Sequence, residues 1–174
     1  MKTARLLAIL EAESVTGPAK NLLQFARLAQ TVEAELRIEV SIAVFHRGGG
    51  SNPFIKTAEQ FGVPVYTIAE KGRFDRAVIA QMAALARQIK PDLLQTHAVK
   101  SHFLVRMGGL ERLAPWIAFH HGYTWPDWRA RLYNQLDRWS LRVARQVITV
   151  SRPFGITLST VAGICPSTPM TKSK

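Results

Sequence analysis

The chain has 174 residues, 47% of them hydrophobic and 20% charged, which suits one domain with a sizeable core. It has no run approaching the ~18 apolar residues of a membrane span, and the single Cys165 excludes an internal disulfide and fits a reducing cytoplasm. The net charge of +11 is weighted to the C-terminal third, where Asp127 and Asp137 are the only acidic residues after position 124. That excess suits an anionic partner (nucleotide phosphate, nucleic acid or an acidic membrane face) or a solvated cationic surface.

The opening Met1–Arg5 and the apolar residues behind it mimic a secretory signal, but Glu11 and Glu13 interrupt the run. Arg5–Ala12 therefore reads as a buried first strand. A helix over 18–36 follows, with Leu22, Phe25, Leu28 or Ala29, Val32 and Leu36 on one face. Ile38–Phe45 alternates as a strand, and His46–Pro53 is rich in turn residues. A short helix over 54–61 stops at Gly62, and a third strand runs to Ile68 from Val63, with Pro64 near its start. Helix 75–90, ended by Pro91, leads to strand 92–96, and helix 101–113 leads to strand 116–119. A long helix over 126–145 and strand 146–150 close the series. Six such alternations predict a Rossmann-like, doubly wound parallel α/β sheet of about six strands with helices on both faces. The domain is expected over 1–163, with one more helix at 153–162 and a polar, disordered tail at 164–174.

Four of the five histidines lie between residues 97 and 121. His97 and the pair His120–His121 follow directly on short apolar runs, which puts them at the carboxyl edge of the sheet, where open α/β sheets bind ligands. Strand alternation lets at most one of His120 and His121 face a given pocket, and Gly122 permits a sharp turn beside Tyr123. His97 also fits a capping role, and His102 fits packing. After the first strand, Gly17 and Pro18 suit a helix start whose free amides, with Lys20 and Asn21, could hold a phosphate. An ordinary βα turn is the alternative there. The loop is neither G-x-G-x-x-G nor G-x-x-x-x-G-K-[ST], which disfavours a nicotinamide dehydrogenase. Glu11 and Glu13 resemble an acidic magnesium pocket, but the third strand ends at Thr67-Ile68-Ala69 without an aspartate. No metal is expected, because histidine spacing and a lone tail cysteine fit neither zinc nor a Cys–His nucleophile.

The helix over 126–145 places Trp128, Leu132, Leu136, Trp139 and Val143 in one stripe. Arg131, Arg138, Arg142 and Arg145 fall in a flanking arc of roughly 60°. Such a combination suits a membrane interface or anionic substrate, or else a core-facing helix with a solvated cationic side. Nucleic acid is disfavoured, since no recognised binding motif accompanies the arginines.

Taken in order, Thr16-Gly-Pro-Ala-Lys-Asn-Leu-Leu, Lys90-Pro-Asp-Leu-Leu-Gln-Thr-His97 with Lys100, Phe119-His-His-Gly-Tyr, the Arg131–Trp139 helix and Val147-Ile-Thr-Val-Ser151 resemble the N-terminal domain of a family 4, GT-B glycosyltransferase. The resemblance implies retaining transfer of a sugar from a nucleotide-sugar to a glycan or lipid-linked acceptor, as in polysaccharide and cell-envelope synthesis. It implies no metal and no cofactor, the nucleotide-sugar being a substrate. By the same resemblance Gly17, Pro18, Ala19 and Lys20 approach the donor diphosphate, and His121 faces the transferred sugar. His97, Lys100, His120, Gly122 and Tyr123 line the acceptor side.

Two departures stand out. Gly17-Pro18-Ala19-Lys20 replaces the family's Gly-Gly and Ala-Glu, and the second, nucleotide-binding domain is absent from these residues. The expectation is a cytoplasmic, truncated or split enzyme, inactive without a C-terminal half in trans, with peripheral contact at the inner face of the cytoplasmic membrane. The competing expectation is a non-catalytic Rossmann-like binding module that uses its basic helix on an anionic membrane or a protein.

Overall fold

A computed structural model describes residues 2–15, 17–31, 35–48, 50–72, 75–121 and 128–149, apart from the side chain of Arg129. In chain order these form β1 (Lys2–Leu10), α1 (Gly17–Thr31), β2 (Leu36–His46), α2 (Pro53–Gln60), β3 (Val65–Ala69) and α3 (Ala77–Ile89). They continue with β4 (Leu93–Thr96), α4 (Val99–Gly108), a 3-10 turn at Leu110–Arg112, β5 (Trp116–His120), α5 (Trp128–Leu141) and β6 (Gln146–Thr149). All pairings are parallel and the strand order is β3-β2-β1-β4-β5-β6. The Rossmann-like, doubly wound α/β class is the observed one.

The strands explain the two layers. Leu6, Ala8 and Leu10 of β1, with Val40, Ile42 and Val44 of β2, pack against Ala19, Leu22, Leu23 and Ala26 of α1 and Phe54 and Ala58 of α2. Leu7 and Ile9 point the other way, into a layer with Val78 and Met82 of α3, Val105 of α4 and Leu141 of α5. Successive residues of an extended chain face opposite sides, so a strand buried on both must be apolar throughout. Trp116 is the largest fully buried side chain among the described residues, and its indole N–H donates to Thr96 Oγ1 at 2.8 Å. That bond satisfies the one polar atom the ring brings into the core.

Helix boundaries depart from the sequence pattern in instructive places. The first helix ends at Thr31 instead of Leu36, because Leu36 opens β2 and pairs with Lys2 of β1. Its buried face is Ala19, Leu22, Leu23 and Ala26, while Phe25 and Leu28 are exposed, so the expected face is rotated. α4 starts two residues early, at Val99, because Ser101 Oγ accepts from His97 N and Ala98 N and closes the first turn. α3 ends where Lys90 turns left-handed (φ 51°) and its N–H bonds Ala86 O, just before Pro91. The expected helix at 153–162, the tail at 164–174, Val32, Gly122 and Tyr123 all lie outside the described residues.

Candidate functional site

β1 and β4 are neighbours, yet the chain leaves them for opposite faces of the sheet: α1 packs on one side and α4 on the other. This divergence opens a crevice at their carboxyl ends, the usual ligand position of such sheets. A cleft of about 370 Å³ lies there, walled by Glu11, Glu13, Ser14, Pro18, Ala19 and His97 among others. Gly17 turns the chain into α1 with φ +50°. Lys20 is exposed and is not part of the wall. The β1–α1 loop is held from outside by Asn52, whose Nδ2 donates to Ala12 O at 2.8 Å. The same side chain caps α2, its Oδ1 accepting from Phe54 N and Ile55 N.

A charge network runs along the same edge. Glu70, buried just beyond β3, accepts from Arg47 Nε (3.0 Å) and Nη2 (3.1 Å), and from Lys100 Nζ (2.7 Å). Lys100 also donates to Glu11 at 3.1 Å and lies 4.4 Å above the Phe45 ring. Burial pushes the Glu70 carboxyl up, but hydrogen bonds from Arg47 and Lys100 outweigh it and hold the group below its ordinary value. Glu11 and Glu70 thus share the Lys100 ammonium ion. Among the described residues no group of three His, Cys, Asp or Glu is arranged to hold a metal.

His97 stacks with two other rings. Phe119 lies 4.9 Å from it at 19°, and His121 lies 6.0 Å away at 12°. Gln95 Nε2 is 2.7 Å from His97 Nε2. With the amide donating, the imidazole is neutral and carries its proton on Nδ1. Burial first, then the charges of His121 and His102, lower the His97 pKa to about 4. His121 is exposed in part and is shifted down by burial and by His120 and His102. Both rings are therefore neutral at pH 7.

The adjacent histidine goes elsewhere. His120 is buried on the opposite side of β5, with its Nε2 3.1 Å from Asp137 Oδ2 on α5. It does not line the cleft as expected, because strand alternation sends it to the α5 side. His102 is likewise buried, its Nδ1 2.6 Å from Asp137 Oδ1. Burial raises the Asp137 pKa, but hydrogen bonds from His102 and His120 dominate and lower it to about 2.

α5 is inverted relative to its apolar pattern. Asn134, Asp137, Ser140 and Leu141 face the core, whereas Trp128 is 68% and Leu132 55% exposed. Trp139 lies at the surface, packed by Phe103 and by the Arg106 guanidinium 5.1 Å from its ring. The core-facing stripe is thus overturned: the two buried histidines require a polar surface opposite them. The helix also stops at Leu141, so of the four expected rail arginines Arg131 and Arg138 ride on it and Arg142 and Arg145 lie beyond its end.

The structure therefore gathers Pro18, Ala19 and His97 in one cleft, with Gly17, Lys100 and His121 on its margins. Sequence reasoning missed Glu70, Arg47 and Asp137. Glu70 sits two residues past the expected strand end at Ile68, and Asp137 lies mid-way along a helix read for its apolar and arginine residues.

The topology and the position of the crevice define the class, a Rossmann-like domain with a crevice at the switch point. The chain belongs to Glycosyltransferase Family 4, whose model matches residues 25–169, and it forms a GT-B N-terminal domain. The match starts within α1, after Gly17–Lys20. Among solved structures, Anabaena HepE in complex with UDP superposes with TM-score 0.69 at 17% identity, over 94% of this chain and 41% of that one. A glycosyltransferase from Rickettsia africae gives TM-score 0.65 at 14% identity, over 95% and 41%. A putative UDP-N-acetylglucosamine 2-epimerase from Listeria monocytogenes gives 0.68 at 13%, over 95% and 44%. The chain thus spans less than half the length of each of these structures. No curated protein shows a significant sequence match.

Proposed function

We propose that this domain forms the acceptor-side wall of a retaining glycosyltransferase that uses a nucleotide-sugar and no metal or cofactor. The observation that carries this reading is the crevice that brings the α1 start together with His97, beside His121. Structures of the similar HepE hold UDP and UDP-glucose, which supports a nucleotide-sugar as donor. The backbone N–H groups of Gly17 and Ala19, with Pro18 setting the helix start and Lys20 nearby, meet the donor diphosphate. Because both stacked imidazoles are neutral at pH 7, His121 bonds a hydroxyl of the transferred sugar instead of pairing with phosphate. Charge developing on the departing diphosphate falls to the helix amides and to a second domain. His97 and Lys100 face the acceptor, a glycan or lipid-linked sugar of polysaccharide or cell-envelope synthesis.

Donor hydrolysis and sugar transfer are measured on the 174-residue chain, then with a C-terminal half supplied in trans. The expected outcome is no turnover by the chain alone and turnover by the complemented enzyme. Turnover by the chain alone would overturn the half-site reading, and full activity of complemented His121→Ala would overturn the assigned site.

A second reading concerns placement in the cell: a cytoplasmic protein that touches the inner face of the membrane. Its specific support is the outward face of α5, where Trp128 and Leu132 lie beside Arg131, with Arg142 and Arg145 exposed just beyond the helix end. No helix among the described residues is long and apolar enough to cross a membrane. Binding to anionic vesicles should fall with added salt and with Arg131→Gln/Arg142→Gln. Absence of binding at low salt rejects the contact. Vesicle binding without any turnover by the complemented enzyme would favour a non-catalytic binding module.

A further inference from the structure

Asp137 joins three elements of the fold at one carboxylate. It is fully buried on α5, its Oδ1 2.6 Å from Nδ1 of His102 on α4 and its Oδ2 3.1 Å from Nε2 of His120 at the end of β5. A buried carboxylate is costly to desolvate, and it persists where its oxygens are matched by donors in fixed positions. Neither histidine reaches the cleft, since both are buried behind the strand.

Their influence on the cleft passes through the backbone. His120 and His121 are consecutive residues at the end of an extended strand, so their side chains leave on opposite sides. Pinning the His120 ring fixes the peptide plane that precedes His121. On the far side, that plane aims the His121 ring parallel to His97 at 6.0 Å. Pairing of His120 with Thr149 of β6 holds the same point from the next strand. His102 completes the clamp, because it ties Asp137 to α4, the helix that begins directly after His97.

We infer that Asp137 is a positioning residue, which clamps His102 and His120 behind β5 and thereby holds His121 stacked on His97 at the cleft. The clamp is a property of the domain itself. Its bearing on turnover rests on the function proposed above, so the test separates the two.

The 174-residue chain is labelled with 15N and 13C at histidine, and the imidazole resonances are assigned by single substitutions. In the wild type, His102 carries its proton on Nδ1, and the His121 ring resonances are displaced by the ring current of His97. In Asp137→Asn, with cooperative unfolding retained, His121 should move to the position of a free imidazole and the His97 resonances should follow. Should Asp137→Asn not fold, His120→Phe reads the same point, because it releases β5 and leaves the Asp137–His102 contact in place. Unchanged His121 and His97 resonances in the folded variant overturn the clamp, whatever the activity. In the complemented enzyme, kcat should fall on the order of tenfold or more while KM for the nucleotide-sugar holds, as misplacing a reacting group costs rate more than binding. A lost stack with unchanged kcat supports the clamp and removes His121 from the proposed chemistry.

Discussion

Lys100 Nζ lies 2.7 Å from Glu70 Oε2, although the two residues arrive from opposite sides of β1, at the start of α4 and the end of β3. Glu70 is almost wholly buried, and Lys100 and Arg47 donate three hydrogen bonds to it. Glu70→Ala would leave Lys100 with Glu11 alone and Arg47 without its bidentate partner. The expected loss is about 1–2 kcal/mol, below the range for a fully buried ion pair, because Arg47 is half exposed and Lys100 keeps Glu11. Urea unfolding of wild type and variant measures it. A loss indistinguishable from zero would mean that the network is ornamental.

Stability should fall as the solution is acidified from neutral. The unfolded chain protonates its histidines near pH 6.5, whereas folded His97 refuses a proton until about pH 4. Between those values the unfolded state binds more protons, so stability rises with pH across the window and is lost on descending through it. His97 alone accounts for about 3 kcal/mol between neutral pH and pH 4, and His121, shifted the same way, adds to it. Asp137, lowered to about 2 from 3.8, extends the decline below pH 4. Denaturant titrations at several pH values test this, and His97→Gln should flatten the upper part of the curve.

Gly17 stands at φ +50°, and a Cβ built there meets nothing within 4 Å. The cost of Gly17→Ala is therefore confined to the backbone, about 1 kcal/mol. A Tm lowered by roughly 2–4 °C is expected for a chain of this size. A much larger drop would indicate contacts at this turn that the free space around it does not suggest.

The inverted helix makes a contrast that one stability series can read. Trp128→Ala and Leu132→Ala remove exposed side chains and should each change stability by no more than about 0.5 kcal/mol. Leu141→Ala empties a fully buried site and should cost about 2–5 kcal/mol. If Leu132→Ala proved the costlier change, α5 would be turned the other way.

The same helix shows where sequence reading stops. The βα alternation was legible because β1 is a nearly continuous apolar run, β2 alternates, and the helices between strands keep a helical spacing. The phase of α5 was not, because Asn134, Asp137 and Ser140 are buried there while Trp128 and Leu132 are left outside. What makes the polar side the inner one is His102 and His120, contributed by distant segments. Leu36 also fits the spacing of α1, yet pairing with Lys2 claims it for β2. The candidate site divides similarly. His97 and the α1 start were readable from their place after strands, whereas Glu70 depends on Arg47 and Lys100, which are far apart in the chain.

Asn52 has a consequence for motion. One side chain grips Ala12 O with its amide nitrogen and the first amides of α2 with its oxygen. The loop bordering the cleft and the helix beyond β2 are therefore geared together. A ligand that drew the cleft loop inward would have to carry the start of α2 with it or give up that grip. Movement at the mouth of the site would then be registered on a helix whose own residues need never touch the ligand.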